Sequence, residues 1–140
     1  MDKTGRFLFV YGTLMSEALG ALGKAQRQRL ARESRKLGAA TMAGARLCDL
    51  GRYPGLVETG DPAHIVHGEV VELIDARVTF PWLDAYEGIV PGDHDQNEYL
   101  RLERQVRLQR GETLRASVYV FRCDAARFPP NAGGRWKRTV

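Results

Sequence analysis

Two short segments of this 140-residue chain bring together groups that could do chemistry. The first is Tyr11-Gly12-Thr13-Leu14. It closes an apolar run, Phe-Leu-Phe-Val-Tyr at 7–11, of the kind that forms a strand covered on both faces. A glycine at its end can take torsions closed to other residues and lets a ligand approach the backbone. Successive N–H groups in such a turn form a concavity for a carboxylate or phosphate. It is no nucleotide-type phosphate loop, because G-x-x-x-x-G-K-[ST] is absent. A plain strand-to-helix turn is the competing reading. The second segment is Leu83-Asp84-Ala85-Tyr86-Glu87-Gly88. On a helix, Phe80, Leu83 and Glu87 share a face, so a glutamate travels inward with the apolar stripe. At a helix C-terminus the dipole disfavours its negative charge. Burial and dipole together raise its pKa toward what a general base near neutrality needs. The competing reading is a glutamate at a frayed helix end, turned to water.

The remaining reactive residues are less suggestive. Asp84 is expected on the exposed side, and two carboxylates one turn apart on a short helix do not readily flank a sugar. Tyr119 either offers a phenol to a pocket or is ordinary core. Ser117 and Thr13 would need a neighbouring base to act as nucleophiles, and no G-x-S-x-G is present. His64 and His67 lie at odd spacing on a strand, which points them to opposite faces and argues against one shared metal. His94 sits in an acidic loop and is expected exposed. Cys48 and Cys123 are the only cysteines. They read as two reduced, partly buried small hydrophobes, not a zinc site or a disulfide framework.

The elements that must position these groups follow from patterning. Residues 16–36 are rich in Leu, Ala, Arg, Lys, Gln and Glu. They predict a surface helix with a thin apolar stripe, stopped by Gly38. Residues 39–59 predict short extended pieces around Gly44, Gly51 and a Tyr53-Pro54-Gly55 turn, and 64–74 a strand. Thr79 is expected to cap a short helix, with Pro81 in its first turn and Gly88 at its end. A polar loop is expected over 89–98. Residues 99–109 alternate, with Leu100, Leu102, Val106 and Leu108 on one side. Gly111 turns the chain into a second strand at 113–121, making a hairpin. From Pro129 onward the tail reads as irregular. Five or six strands, two helices and no regular β-α-β alternation predict an α+β fold: a small mixed, mostly antiparallel sheet or barrel with flanking helices.

Composition bounds the function. Hydrophobic residues make up 44% and charged residues 27%, ordinary values for one globular domain spanning 1–140. No apolar run approaches the roughly 18 residues needed to cross a bilayer, and no cleavage site follows the first apolar run. A cytoplasmic protein without membrane contact is therefore expected. The net charge is +4 but unevenly spread. Residues 24–36 carry six Lys/Arg and one Glu; residues 57–100 carry ten Asp/Glu and one Arg. The basic segment lacks the interleaved aromatics that single-strand binding uses, so a solvated face is favoured over a nucleic-acid partner.

In order and spacing, the segments resemble the γ-glutamylcyclotransferase-like family. Phe9-Val10-Tyr11-Gly12-Thr13-Leu14 is similar to its Y-G-T-L signature, and Leu50-Gly51-Arg52-Tyr53-Pro54-Gly55-Leu56-Val57 to its G-x-Y-P-G-L segment. Val66-His67-Gly68-Glu69-Val70 resembles its G-E strand, and residues 83–88 its L-D-x-x-E-G. Tyr99-Leu100-Arg101 and Ala116-Ser117-Val118-Tyr119-Val120 complete a match over about residues 7–121. The resemblance implies a small β-barrel with a pocket at one end. It implies Glu87 as general acid/base and Tyr11, Gly12, Thr13, Leu14, Tyr53 and Tyr119 as substrate-binding. The implied reaction releases 5-oxoproline from a γ-glutamyl amine, amino acid or peptide, with no metal or organic cofactor. A non-catalytic module using the same carboxylate-binding loop is the alternative. The leaving amine and the oligomeric state are not implied.

Overall fold

The computed structural model describes residues 6–12, 23–49, 54–89 and 99–121. Thr13, Leu14, Tyr53, His94, Cys123, all but Ile89 of the loop expected at 89–98, and the tail from Pro129 lie outside the described residues. Seven strands and two helices are described. A closed barrel has the order β1 (Phe7–Val10), β5 (Ile65–Leu73), β2 (Ser34–Ala43), β6 (Tyr99–Leu108) and β7 (Thr113–Phe121). Its pairs are antiparallel except where β1 meets β7 in parallel, Leu8 opposite Ser117. The extended pieces expected around Gly44 are the end of β2 and a separate hairpin, β3 (Ala45–Asp49) with β4 (Pro54–Glu58). Pro54-Gly55 opens β4.

Alternation in the strands sorts the core into two layers. Phe9, Tyr11, Met42, Val66, Val70, Val106, Val118 and Val120 fill the barrel. Leu8, Val10, Val71, Leu73, Tyr99, Tyr119 and Phe121 face outward, covered by α1 (Lys24–Glu33) and α2 (Ala76–Tyr86) through Leu30, Phe80 and Leu83. Closure gives each described barrel strand a hydrogen-bonded neighbour on both sides.

The helix expected over 16–36 ends at Glu33 rather than Gly38. Ser34 is extended and its Oγ donates to the Leu30 carbonyl at 2.6 Å, satisfying one of the last helical acceptors. Residues 34–43 then pair with β5 from Ser34 opposite Leu73 to Ala43 opposite Ile65. Strand pairing overrides the helix propensity of Arg35, Lys36 and Leu37. Gly38, with φ 137°, lies at the irregularity in that ladder instead of stopping a helix. The basic segment, 24–36, is therefore helix to Glu33 and strand from Ser34 onward. Several of its cations are met by acids: Arg29 by Glu33, Arg35 by Glu72, Lys36 by Glu69 at 3.2 Å.

Helix α2 also starts earlier than expected. Asp75, not Thr79, is the N-cap, its carboxylate accepting from the Arg77 N–H at 3.0 Å. Thr79 is fully buried inside the helix and donates to Glu33 at 2.7 Å. Pro81 thus sits in the helix interior. It removes the bond to the Arg77 carbonyl, on a side where both residues are exposed and water can take the acceptor.

Glu33 ties the two helices together. It also accepts from Trp82 Nε1 and Arg29 Nε, both at 2.9 Å. Burial would raise its pKa, but these hydrogen bonds and the Arg29 charge hold the carboxyl down to about 2. A depressed carboxyl contributes stability that is present above its unfolded pKa and lost as pH falls through the folded one. Glu33→Gln is expected to lower stability at neutral pH and to flatten the loss between about pH 4.5 and 2. Denaturant melts at pH 7 and pH 3 measure this. An equal drop in both proteins between those values would contradict it.

Candidate active site

The C-terminal end of α2 carries the candidate catalytic residue. Glu87 is the C-cap, with φ −81° and ψ 0°. Gly88 follows at φ 78° and donates to the Ala85 carbonyl at 3.0 Å, while the Ile89 N–H reaches the Asp84 carbonyl at 2.9 Å. These two bonds are a Schellman closure, with Ile89 packed on the same outer core layer. The left-handed turn at Gly88 ends the helix as expected and holds Glu87 at a defined place rather than on a frayed end. Phe80 and Leu83 are buried from the same face, in accord with the expected stripe.

Burial, with the Asp84 carboxylate adding to it, pushes the Glu87 carboxyl up to about 7. Asp84 is not the exposed residue expected from its position. It is half-buried. Tyr119 donates its phenolic proton to Asp84 Oδ1 at 2.6 Å. Arg101 holds both carboxylate oxygens, Nε at 3.0 Å and Nη2 at 3.2 Å. The Arg101 guanidinium in turn lies 3.8 Å from the centroid of the Phe80 ring. Arg101 and Tyr119 are direct cross-strand partners between β6 and β7. Asp84 and Arg101 are the site residues that sequence reasoning missed. Their signal was present: Asp84 is four residues after Phe80, on its side of the helix, and Arg101 is an outward residue of β6.

Tyr119 is buried on the outer face of β7, and its phenol is pushed far above its ordinary range by burial, the bond to Asp84 and the nearby acids Asp84 and Glu87. Tyr11 points into the barrel's end, where its hydroxyl donates to the Tyr119 carbonyl at 2.5 Å. Its phenol is also raised, by burial first, then by Tyr99 and Glu87. Glu87, Tyr119 and Tyr11 therefore lie within electrostatic reach of one another, although 32 residues separate Glu87 from Tyr119 and 76 separate it from Tyr11.

Gly12 sits beside this group, but the reason for glycine differs from the one expected. Its φ is not among the positive ones. A Cβ there would come within 2.9 Å of Pro54 Cγ and 3.1 Å of Pro54 Cδ. The close neighbour in the structure is thus the Pro54 ring, whose own carbonyl accepts from the Tyr99 hydroxyl at 3.1 Å. A valine at position 12 would strain this packing as well as any ligand contact, so that variant does not isolate the loop's binding role. The N–H groups of Thr13 and Leu14, and the Tyr53 side chain, are outside the described residues.

The arrangement sets a carboxyl poised near neutrality beside an ion-paired carboxylate and two phenols, groups whose chemistry suits proton transfer. Among the described residues no group of three His, Cys, Asp or Glu could hold a metal. His64 is bonded to Thr59 at 2.8 Å, away from this group.

The family described as "Gamma-glutamyl cyclotransferase, AIG2-like" matches residues 8–138. The chain belongs to that family. Solved structures agree on the fold. An AIG2-like protein from Mus musculus superposes with TM-score 0.63 at 20% identity, covering 96% of each chain. A gamma-glutamyl cyclotransferase superposes at 0.61 with 15% identity, over 89% of this chain and 68% of that one. YkqA from Bacillus subtilis superposes at 0.66 with 22% identity; the present chain spans 95% of its own length but only 40% of YkqA. No curated protein matches the sequence significantly. Among the described residues no helix is long and apolar enough to cross a membrane.

Proposed function

We propose that the protein is a cytoplasmic cyclotransferase that releases 5-oxoproline from a γ-glutamyl amine, amino acid or peptide. The observation that carries this reading is Glu87, held at the Schellman end of α2 with its carboxyl raised to about 7. In the proposed reaction Glu87 takes a proton from the substrate's α-amino group. The freed amine attacks its own γ-carbonyl and closes a five-membered ring. The bond to the leaving amine breaks as Glu87 returns that proton to it; the ring nitrogen then gives up its second proton through Glu87 to the departed amine, leaving a neutral lactam and an ammonium. The ring closure is intramolecular, so holding the chain bent supplies much of the acceleration. The Tyr11–Leu14 loop, with Tyr53, would bind the glutamyl carboxylate through its N–H groups. No step requires a metal or an organic cofactor. The paired cations of the basic segment support a small-molecule partner over a nucleic acid.

The test is 5-oxoproline release assayed against a panel of γ-glutamyl amines, amino acids and dipeptides. Release from at least one compound with saturation kinetics is the expected result. Saturable binding with no release from any would make the protein a binding module built on the same cradle.

A further inference from the structure

A phenol has one proton to donate, and that of Tyr119 goes to Asp84 at 2.6 Å. The direction of this bond is set from the far side. Arg101 meets both Asp84 oxygens, at 3.0 and 3.2 Å, in the two-point geometry that suits a carboxylate rather than a carboxylic acid. Arg101 is itself placed by its cross-strand position opposite Tyr119 and by the Phe80 ring beneath it. Reversing the bond would need a donor on Asp84, whose two oxygens both accept from the guanidinium. The Tyr119 oxygen therefore has only lone pairs to offer a ligand. Glu87, within electrostatic reach, contributes another acceptor when ionised. With Asp84 paired to Arg101, the Tyr119 oxygen and the Glu87 carboxylate are acceptors that give a ligand carboxylate no donor and suit a cationic N–H donor.

Resting on the γ-glutamyl reading of this site, we infer that Tyr119 is a specificity-determining residue whose phenol oxygen accepts a hydrogen bond from the substrate's α-ammonium, and that Asp84 and Arg101 are positioning residues that fix its polarity. The consequence is that the site distinguishes ligands by their α-amino group, with the glutamyl carboxylate placed away from Asp84 and Glu87. It also places the ammonium near the group proposed to deprotonate it.

L-Glutamate and glutarate have the same carbon chain with and without the α-ammonium, and neither has a leaving amine. Calorimetric affinities of both for the wild type, Tyr119→Phe and Asp84→Asn test the inference. The wild type is expected to prefer glutamate. Tyr119→Phe should weaken glutamate about 10- to 100-fold, the size expected for a hydrogen bond to a charged group, and leave glutarate within a few-fold. Asp84→Asn keeps the shape but removes the charge that orients the phenol, and should narrow the same preference. A merely structural role would weaken both ligands equally, and that result overturns the inference, as does an unchanged glutamate affinity in Tyr119→Phe. A wild type that binds neither ligand, nor any γ-glutamyl compound, sinks the γ-glutamyl reading itself and the inference with it. Glutamate preference lost in Tyr119→Phe without 5-oxoproline release from any substrate would uphold the inference and reject the catalysis.

Discussion

Glu87→Gln is expected to lower 5-oxoproline release about 10²–10⁴-fold, the usual cost of losing a general acid/base. Glutamine keeps the size of the side chain, and the Schellman bonds that hold position 87 come from backbone groups of residues 83–89. Ligand affinity should therefore stay within a few-fold, since the proposed carboxylate cradle belongs to another segment. The pH profile follows from the sign of the shift. Glu87 acts as a base only when ionised, and burial beside Asp84 raises its carboxyl to about 7. Turnover should fall as pH drops through about 7, and this limb should disappear in the variant. Stability changes the opposite way. A carboxyl with a raised folded pKa costs stability as pH rises from its unfolded value, near 4.5, through about 7. Glu87→Gln should therefore be more stable than the wild type at pH 8 and similar at pH 4. Turnover within a few-fold of wild type on a good substrate would remove Glu87 from the mechanism. A stability loss at pH 8 would contradict the electrostatic account of its site.

The second large effect lies in the barrel, at Gly68. A Cβ on this residue would lie 2.2 Å from the Val10 carbonyl oxygen and 2.9 Å from Phe9 Cζ. The first of these is backbone, locked in the β1–β5 ladder with Val10 opposite Glu69 and Phe9 opposite Val70. It cannot yield as the tip of a flexible side chain would. Overpacking a core costs typically 1–3 kcal/mol, and contact with a fixed carbonyl puts Gly68→Ala at about 3 kcal/mol or beyond. For a domain of this size that is a fall in melting midpoint of roughly 10 °C. The shift in β1 would carry Tyr11 and Gly12 with it, so ligand affinity should fall in the material that folds. A thermal melt decides the matter. A midpoint within about 2 °C of wild type would mean that β1 gives way easily. The glycine of the G-E segment is thus explained by the Phe9 ring and the Val10 carbonyl lying against it.

Much of this protein can be read from residue order alone, and the parts that can share a physical reason: they are local. The apolar run at 7–11, the alternation over 99–109 and the Gly111 turn are set by periods and turn chemistry spanning a few residues. The same holds for Glu87, whose helical spacing from Phe80 and Leu83 and whose Gly88 stop lie within little more than two turns of chain. What needed the tertiary structure was every choice between local preference and a distant partner. Residues 34–36 have helix propensity, yet pair with β5 because Leu73, Glu72 and Val71 stand opposite them. Thr79 has the look of a cap, yet is buried because Glu33 of the other helix takes its hydroxyl. Asp84 has a polar residue's usual claim to solvent, yet joins the site because a tyrosine 35 residues later and an arginine 17 residues later converge on its carboxylate. Gly12 and Gly68 show as glycines in the sequence, but only Pro54, Phe9 and Val10 across the fold say why. Barrel closure creates these encounters: it brings β1, β6 and β7 side by side under α2, a juxtaposition no window of a dozen residues contains.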